Sequence, residues 1–79
     1  MGKKKNSDIR ERFGFAVKIR REKMHLTQEG LAEKAGLHRT YLSDVERGHR
    51  NTSLVIIERL AAALSLSISE LFTQMEESG

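Results

Sequence analysis

The stretch that decides the fold runs from residue 27 to residue 51, TQEGLAEKAGLHRTYLSDVERGHRN. Thr27 is placed to cap a helix N-terminus, and Gly36 to end that helix in a left-handed turn, with Leu31, Ala32 and Ala35 as its inward face. A second helix follows from about His38 to Arg47, with Leu42 and Val45 inward and Gly48 as its stop. The spacing has a mechanical reason. The first helix must end abruptly so that the second can turn sharply away and present its N-terminus outward. With Leu42 and Val45 facing a core, Arg39 and Ser43 share the opposite face one turn apart, and His38 and Thr40 stand on the exposed first turn. A major groove accepts that geometry, receiving side chains from the N-terminal end of a recognition helix. Many helical hairpins also turn at a glycine, so spacing alone leaves a plain hairpin open.

Three further helices flank the pair. The first begins near Asp8, with Glu11 in capping-box spacing, and keeps Ile9, Phe13, Ala16 and Val17 at helical intervals to about Lys23. The fourth starts at Ser53 and carries a one-face stripe of Leu54, Ile57, Leu60, Ala61 and Leu64. The fifth opens on Ser67 and Glu70, a full capping box, and sets Ile68, Leu71, Phe72 and Met75 on one face. Of these, Ile68 and Leu71 are expected inward, and Phe72 and Met75 partly at a dimer seam. Closure of the core within one chain is the plainer use of all four.

Composition agrees with an all-α domain. The chain has 79 residues, which suits one folded unit, and 38% of them are hydrophobic. Proline is absent and β-branched residues cluster only at Val55-Ile56-Ile57, so strand composition is poor. Zero cysteines exclude disulfides and thiolate metal sites and fit a reducing cytoplasm. No apolar run approaches the roughly 18 residues of a membrane span. The Lys3-Lys4-Lys5 start resembles a signal-peptide n-region, but charges follow from Ile9 to Arg12 where an apolar segment belongs.

Charge is uneven. Residues 1–25 hold nine Lys/Arg against three acids, residues 26–51 four of each, and residues 52–79 one against four. A basic front and an acidic back suit a surface that meets a polyanion on one side, and equally a solvated tail on ordinary helix surfaces. Residues 1–7 are expected to be a flexible basic tail, with an arm along phosphates as the lesser use, and residues 8–77 a single domain.

The combination Leu26-Thr27-Gln28-Glu29-Gly30-Leu31-Ala32, then Ala35-Gly36-Leu37, then Leu42-Ser43-Asp44-Val45-Glu46-Arg47-Gly48 closely resembles the lambda-repressor-like (XRE/Cro type) helix-turn-helix family. Leu60-Ala61-Ala62-Ala63-Leu64 and Leu71-Phe72 are similar to that family's fourth and fifth helices, so the likeness spans about residues 9–73. Within the family, His38-Arg39-Thr40-Tyr41-Leu42-Ser43 followed by Arg50-Asn51 most resembles the small controller proteins of restriction–modification systems. The resemblance implies a compact five-helix, lambda-repressor-like domain that binds double-stranded DNA as a homodimer and regulates its own operon.

It also implies residue roles. Gln28 contacts a phosphate at the start of the second helix, and Arg39 reads a guanine in the major groove. Thr40 and Tyr41, with His38 beside them, touch base edges, a thymine methyl or phosphate. Ser43, Arg50 and Asn51 position the phosphate backbone, and Arg47 either joins them or lays its stem on the core. Glu46 matches a position that pairs with an arginine of the first helix, here Arg21, and is structural.

Some residues depart from the pattern. Arg20 stands where an aliphatic residue is commoner, while Phe15 and Ile19 form a second apolar pair, which implies either a rotated first helix or an interface. His25 replaces the usual glycine after the first helix, and His38 a better-capping Ser or Asp. Gly30 inside the second helix suggests a close helix approach.

His25, His38 and His49 lack metal-ligand spacing, and Ser43 with Asp44 and His38 lacks an oxyanion hole, so neither a metal site nor an enzyme is expected. No cofactor and no small-molecule ligand is expected either. The alternative from another class is a protein-binding antitoxin or adaptor on the same fold, working through Phe15, Ile19 and the fifth helix.

Overall fold

The computed structural model describes residues 8–78, so the basic tail expected over residues 1–7 lies outside the described residues. Five helices follow in order: α1 (Ile9–Lys23), α2 (Gln28–Ala35), α3 (Arg39–Glu46), α4 (Leu54–Ala63) and α5 (Ile68–Ser78). No strand occurs among the described residues.

Every helix but α3 begins where a polar side chain satisfies first-turn N–H groups. The Asp8 carboxylate accepts from the backbone N–H of Arg10 and Glu11, Thr27 from Gly30, and Ser53 from Ile56. Ser67 and Glu70 form the reciprocal box: Glu70 N–H donates to Ser67 Oγ at 3.0 Å, and Ser67 N–H to Glu70 Oε1 at 2.8 Å. Gly36 ends α2 with φ 72°, which lets the chain reverse into α3 without a Cβ penalty.

α1 lies along α3 and α5, α2 along α3 and α4, and α4 against α5. Val17, Leu31, Leu42, Leu60, Leu64 and Leu71 are completely enclosed at the centre. Phe13 closes one end against Phe72, with ring centroids 6.1 Å apart and tilted by 58°.

First-turn residues correct the expected core. Ile9 is 56% exposed and Leu54 80% exposed, each on the first turn of its helix where a shallow depression leaves it open to solvent. On α5 the inward pair is Leu71 and Met75, one turn apart, whereas Ile68 is 40% exposed. The expectation of Ile68 inward and Met75 partly at a seam is therefore corrected: Ile68 stands exposed and Met75 is buried. Leu71 and Met75 belong to the core, and Phe72 is half-buried against Phe13.

α1 is not rotated. Phe13, Ala16 and Val17 face inward, and Arg20 has its own purpose: its Nε donates to the carbonyl of Leu64 at 3.0 Å, capping the end of α4. Phe15 remains about half exposed.

The close helix approach is at Gly14 rather than Gly30. A Cβ on Gly14 would sit 2.1 Å from the carbonyl oxygen of Val45, whereas one on Gly30 would meet only Thr27 Oγ1 at 3.2 Å and Leu26 Cδ2 at 3.7 Å. Two residues bear the opposite strain, since His25 and Ser65 take φ of 58° and 60° without being glycine.

Gly14→Ala is expected to destabilise the domain by about 2 kcal/mol or more through overpacking. His25→Gly should stabilise it by up to about 1 kcal/mol, strain relief being partly offset by chain entropy. Urea denaturation of the two variants checks both signs.

Candidate nucleic-acid interface

The second helix-turn-helix helix, α3, is tied down through its last residue. Glu46 is turned inward, and its side chain is only 3% exposed. The carboxylate accepts from Arg21 Nε at 2.7 Å and Arg21 Nη2 at 3.0 Å, a bidentate pair across α1 and α3. Arg21 Nη1 donates to the carbonyl of Leu26 at 2.9 Å, reaching the loop before α2. Gln28 Nε2 completes the set by donating to Glu46 Oε1 at 3.0 Å. The carboxylate can only accept, so the amide must turn its nitrogen toward it. The hydrogen bond to Glu46 raises the Arg21 pKa above its ordinary value, so the guanidinium stays charged in this partly dry site. The expected Arg21–Glu46 pairing is therefore present, and Gln28 joins it.

With Leu42 and Val45 buried, the outer surface of α3 is fixed. His38 stands at the N-cap without a side-chain capping bond, and His38, Arg39 and Thr40 are exposed together at the helix start. Arg39 has no ion-pair or hydrogen-bond partner among the described residues. Tyr41 and Ser43 are half-buried on the following turn.

Arg47, Arg50 and Asn51 are exposed where α3 gives way to the loop. The Arg47 side chain is 60% exposed and pairs with Asp44 at 3.0 Å. Arg50 sits with its guanidinium carbon 4.9 Å from the centre of the Tyr41 ring, also beside Asp44.

The structure thus gathers eight of the nine expected DNA-contact residues on α3, its N-cap and the loop after it, and links the ninth, Gln28, to α3 through Glu46. Sequence reasoning missed Asp44, although its i, i+3 spacing to Arg47 is an ion-pair signal on a helix. It also missed a patch elsewhere. Leu54 and Val55, 80% and 56% exposed, share a shallow depression with Glu58 and Ile68.

A short, sharply capped helix followed by a rigidly held helix that presents its first turn outward defines a DNA-reading class. The family model described as helix-turn-helix matches residues 17–71, and the chain belongs to that family, in its XRE-type branch.

Relatives narrow the likeness. The chain is 46% identical over 72 residues to control protein C.MunI of Mycoplasma sp, covering 90% of this chain and 97% of that one. It is 47% identical over 66 residues to control protein C.BamHI of Bacillus amyloliquefaciens, covering 82% of each. Among solved structures, the restriction-modification controller protein C.AhdI of Aeromonas hydrophila superposes with TM-score 0.78 at 46% identity, over 80% of this chain and 96% of that one. The clp gene regulator ClgR of Corynebacterium glutamicum superposes with TM-score 0.86 at 28% identity, over 91% and 77%. The chain is accordingly a DNA-binding regulator of transcription and not an enzyme.

Glu46→Ala leaves the Arg21 guanidinium unpaired in a buried site and is expected to cost about 3–5 kcal/mol. The double variant Arg21→Met/Glu46→Leu should lose less than Glu46→Ala alone. Denaturant midpoints of the two, at unchanged slope, check this ordering.

Proposed function

We propose that this chain is a homodimeric autoregulator of the restriction–modification controller type, binding a near-palindromic operator upstream of its own gene. The observation that carries the reading is Arg39, exposed and without a partner at the start of a helix whose position is otherwise locked. Its five N–H donors suit the O6 and N7 of a guanine, a pairing worth about 1–3 kcal/mol of discrimination. His38, Thr40 and Tyr41 supply neighbouring base-edge contacts. Gln28, Ser43, Arg47, Arg50 and Asn51 hold the phosphate backbone and set the register. Such a regulator works in the cytoplasm, and among the described residues no helix is long and apolar enough to cross a membrane.

The dimer is assigned to the patch of Leu54, Val55 and Ile68. These large apolar side chains are 80%, 56% and 40% exposed, and covering them across a two-fold axis removes the largest unsatisfied hydrophobic surface of α4 and α5. Leu71 and Met75 are buried in the core and Phe72 packs on Phe13, so of the four apolar α5 residues only Ile68 is placed in this proposed interface. Two recognition helices then enter successive major grooves about 34 Å apart.

Arg39→Ala is expected to bind the DNA upstream of its own gene about tenfold or more weakly while binding a scrambled duplex almost as before. Arg50→Ala should weaken both duplexes alike and lower the salt slope by about one unit. Titration of labelled duplexes at several salt concentrations checks the division, and equal losses for both variants on both duplexes would contradict it. Sedimentation should show a dimer that Leu54→Asp converts to monomer; an unchanged dimer would move the interface elsewhere.

A further inference from the structure

Two acids lie on α3, and they do opposite things. Glu46 is turned into the buried pair with Arg21, whereas Asp44 stands among the arginines of the DNA-facing surface. Its carboxylate is divided between two of them. Oδ1 accepts from Arg47 Nη2 at 3.0 Å, and Oδ2 lies 3.3 Å from both Nε and Nη2 of Arg50. The Asp44 side chain is 21% exposed, while those of Arg47 and Arg50 are 60% and 48% exposed. The acid is thus tucked beneath its two partners, which keep open faces to solvent.

A carboxylate in this place subtracts from the attraction of the surface for any phosphate, because it cancels part of the charge that releases counterions. Its compensation is geometric. A free arginine samples many rotamers and must lose them to bind, whereas Arg50 is held by the carboxylate on one side and the Tyr41 ring on the other. Arg47 is held by the other oxygen. Arg39 has no such tether, so the restraint falls on the arginines assigned to phosphate and not on the one assigned to a base.

We propose that Asp44 is a specificity-determining positioning residue: it orients Arg47 and Arg50 for the phosphates of a correctly seated operator and lowers the affinity of the same surface for DNA of any other sequence. This rests on the DNA-reading function proposed above. The residue touches no base. It acts by raising the ratio of operator binding to general binding.

The test uses the full chain with Asp44→Asn, which removes the charge, and Asp44→Glu, which keeps the charge but displaces it. Asp44→Ser supplies the same charge loss if the asparagine variant fails to fold. Affinities are measured by fluorescence anisotropy for the duplex upstream of its own gene and for a scrambled duplex, across a salt series. Asp44→Asn is expected to bind the scrambled duplex more tightly at low salt, with a log–log salt slope steeper by about 0.9. Its advantage should shrink about threefold to fourfold between about 50 and 200 mM salt. The ratio of upstream to scrambled binding should fall at least about threefold at the lower salt, since the regained charge favours both duplexes alike whereas the lost tether on Arg47 and Arg50 penalises the upstream duplex alone. Asp44→Glu should keep the wild-type slope. Equal weakening of both duplexes by Asp44→Asn, or an unchanged ratio and slope, would overturn the proposal and leave Asp44 a structural residue. Failure of the wild-type chain to bind either duplex even at low salt would instead overturn the DNA-reading function, and this inference with it.

Discussion

Arg21 and Glu46 bring opposite charges into a site where their side chains are 11% and 3% exposed, and the placement of α3 depends on that pair. Burying either charge alone costs several kcal/mol, so each holds the other in one geometry. The remaining hydrogen-bonding capacity is also used: Glu46 takes Gln28 and Arg21 takes the Leu26 carbonyl. Four segments meet there, namely α1, the loop before α2, the first turn of α2 and the end of α3. Gly14 belongs to the same constraint, because its missing Cβ lets α1 approach the carbonyls of Val45 and Glu46. A side chain at Gly14 would push α3 off the guanidinium that fixes it. In a domain this small, with total stability on the order of 5–15 kcal/mol, one such lock is a large share of what positions the helix.

From that anchor the outer surface divides by rigidity. The start of α3 carries exposed His38, Arg39 and Thr40 on a helix whose own packing leaves them little choice of position. The end of α3 and its loop carry Arg47 and Arg50, which are restrained by neighbours and not by burial. In the proposed function, an untethered Arg39 reads a base from a rigid backbone while the tethered Arg47 and Arg50 hold phosphates, an arrangement suited to sequence discrimination. Base contacts lose strength quickly when misplaced, and phosphate contacts set the register that prevents misplacement.

The helix starts were legible because capping is local. Thr27, Ser53 and Ser67 each satisfy an N–H three residues ahead, a relation the sequence displays directly. Periodicity likewise told which face of each helix is apolar. It did not tell how far the neighbouring helix extends, and for that reason Ile9, Leu54 and Ile68, all first-turn residues on apolar faces, were expected inside and stand outside. Gly14 and Gly30 look alike in sequence, and only tertiary packing separates the one that needs its hydrogen from the one that does not. The Arg21–Glu46 pairing came from resemblance, since nothing local connects residues 25 apart. The tether on Asp44 was half visible: its spacing to Arg47 is helical, but its contact with Arg50 runs through the loop.

In the proposed function, a locked α3 reads DNA as half of a two-fold pair. Selection of bound duplexes from a random library at physiological salt tests it most directly. An enriched near-palindrome with two half-sites about ten base pairs apart is the expected result. General, salt-sensitive binding without an enriched sequence would contradict it, and would point to a protein as the chief partner of this fold.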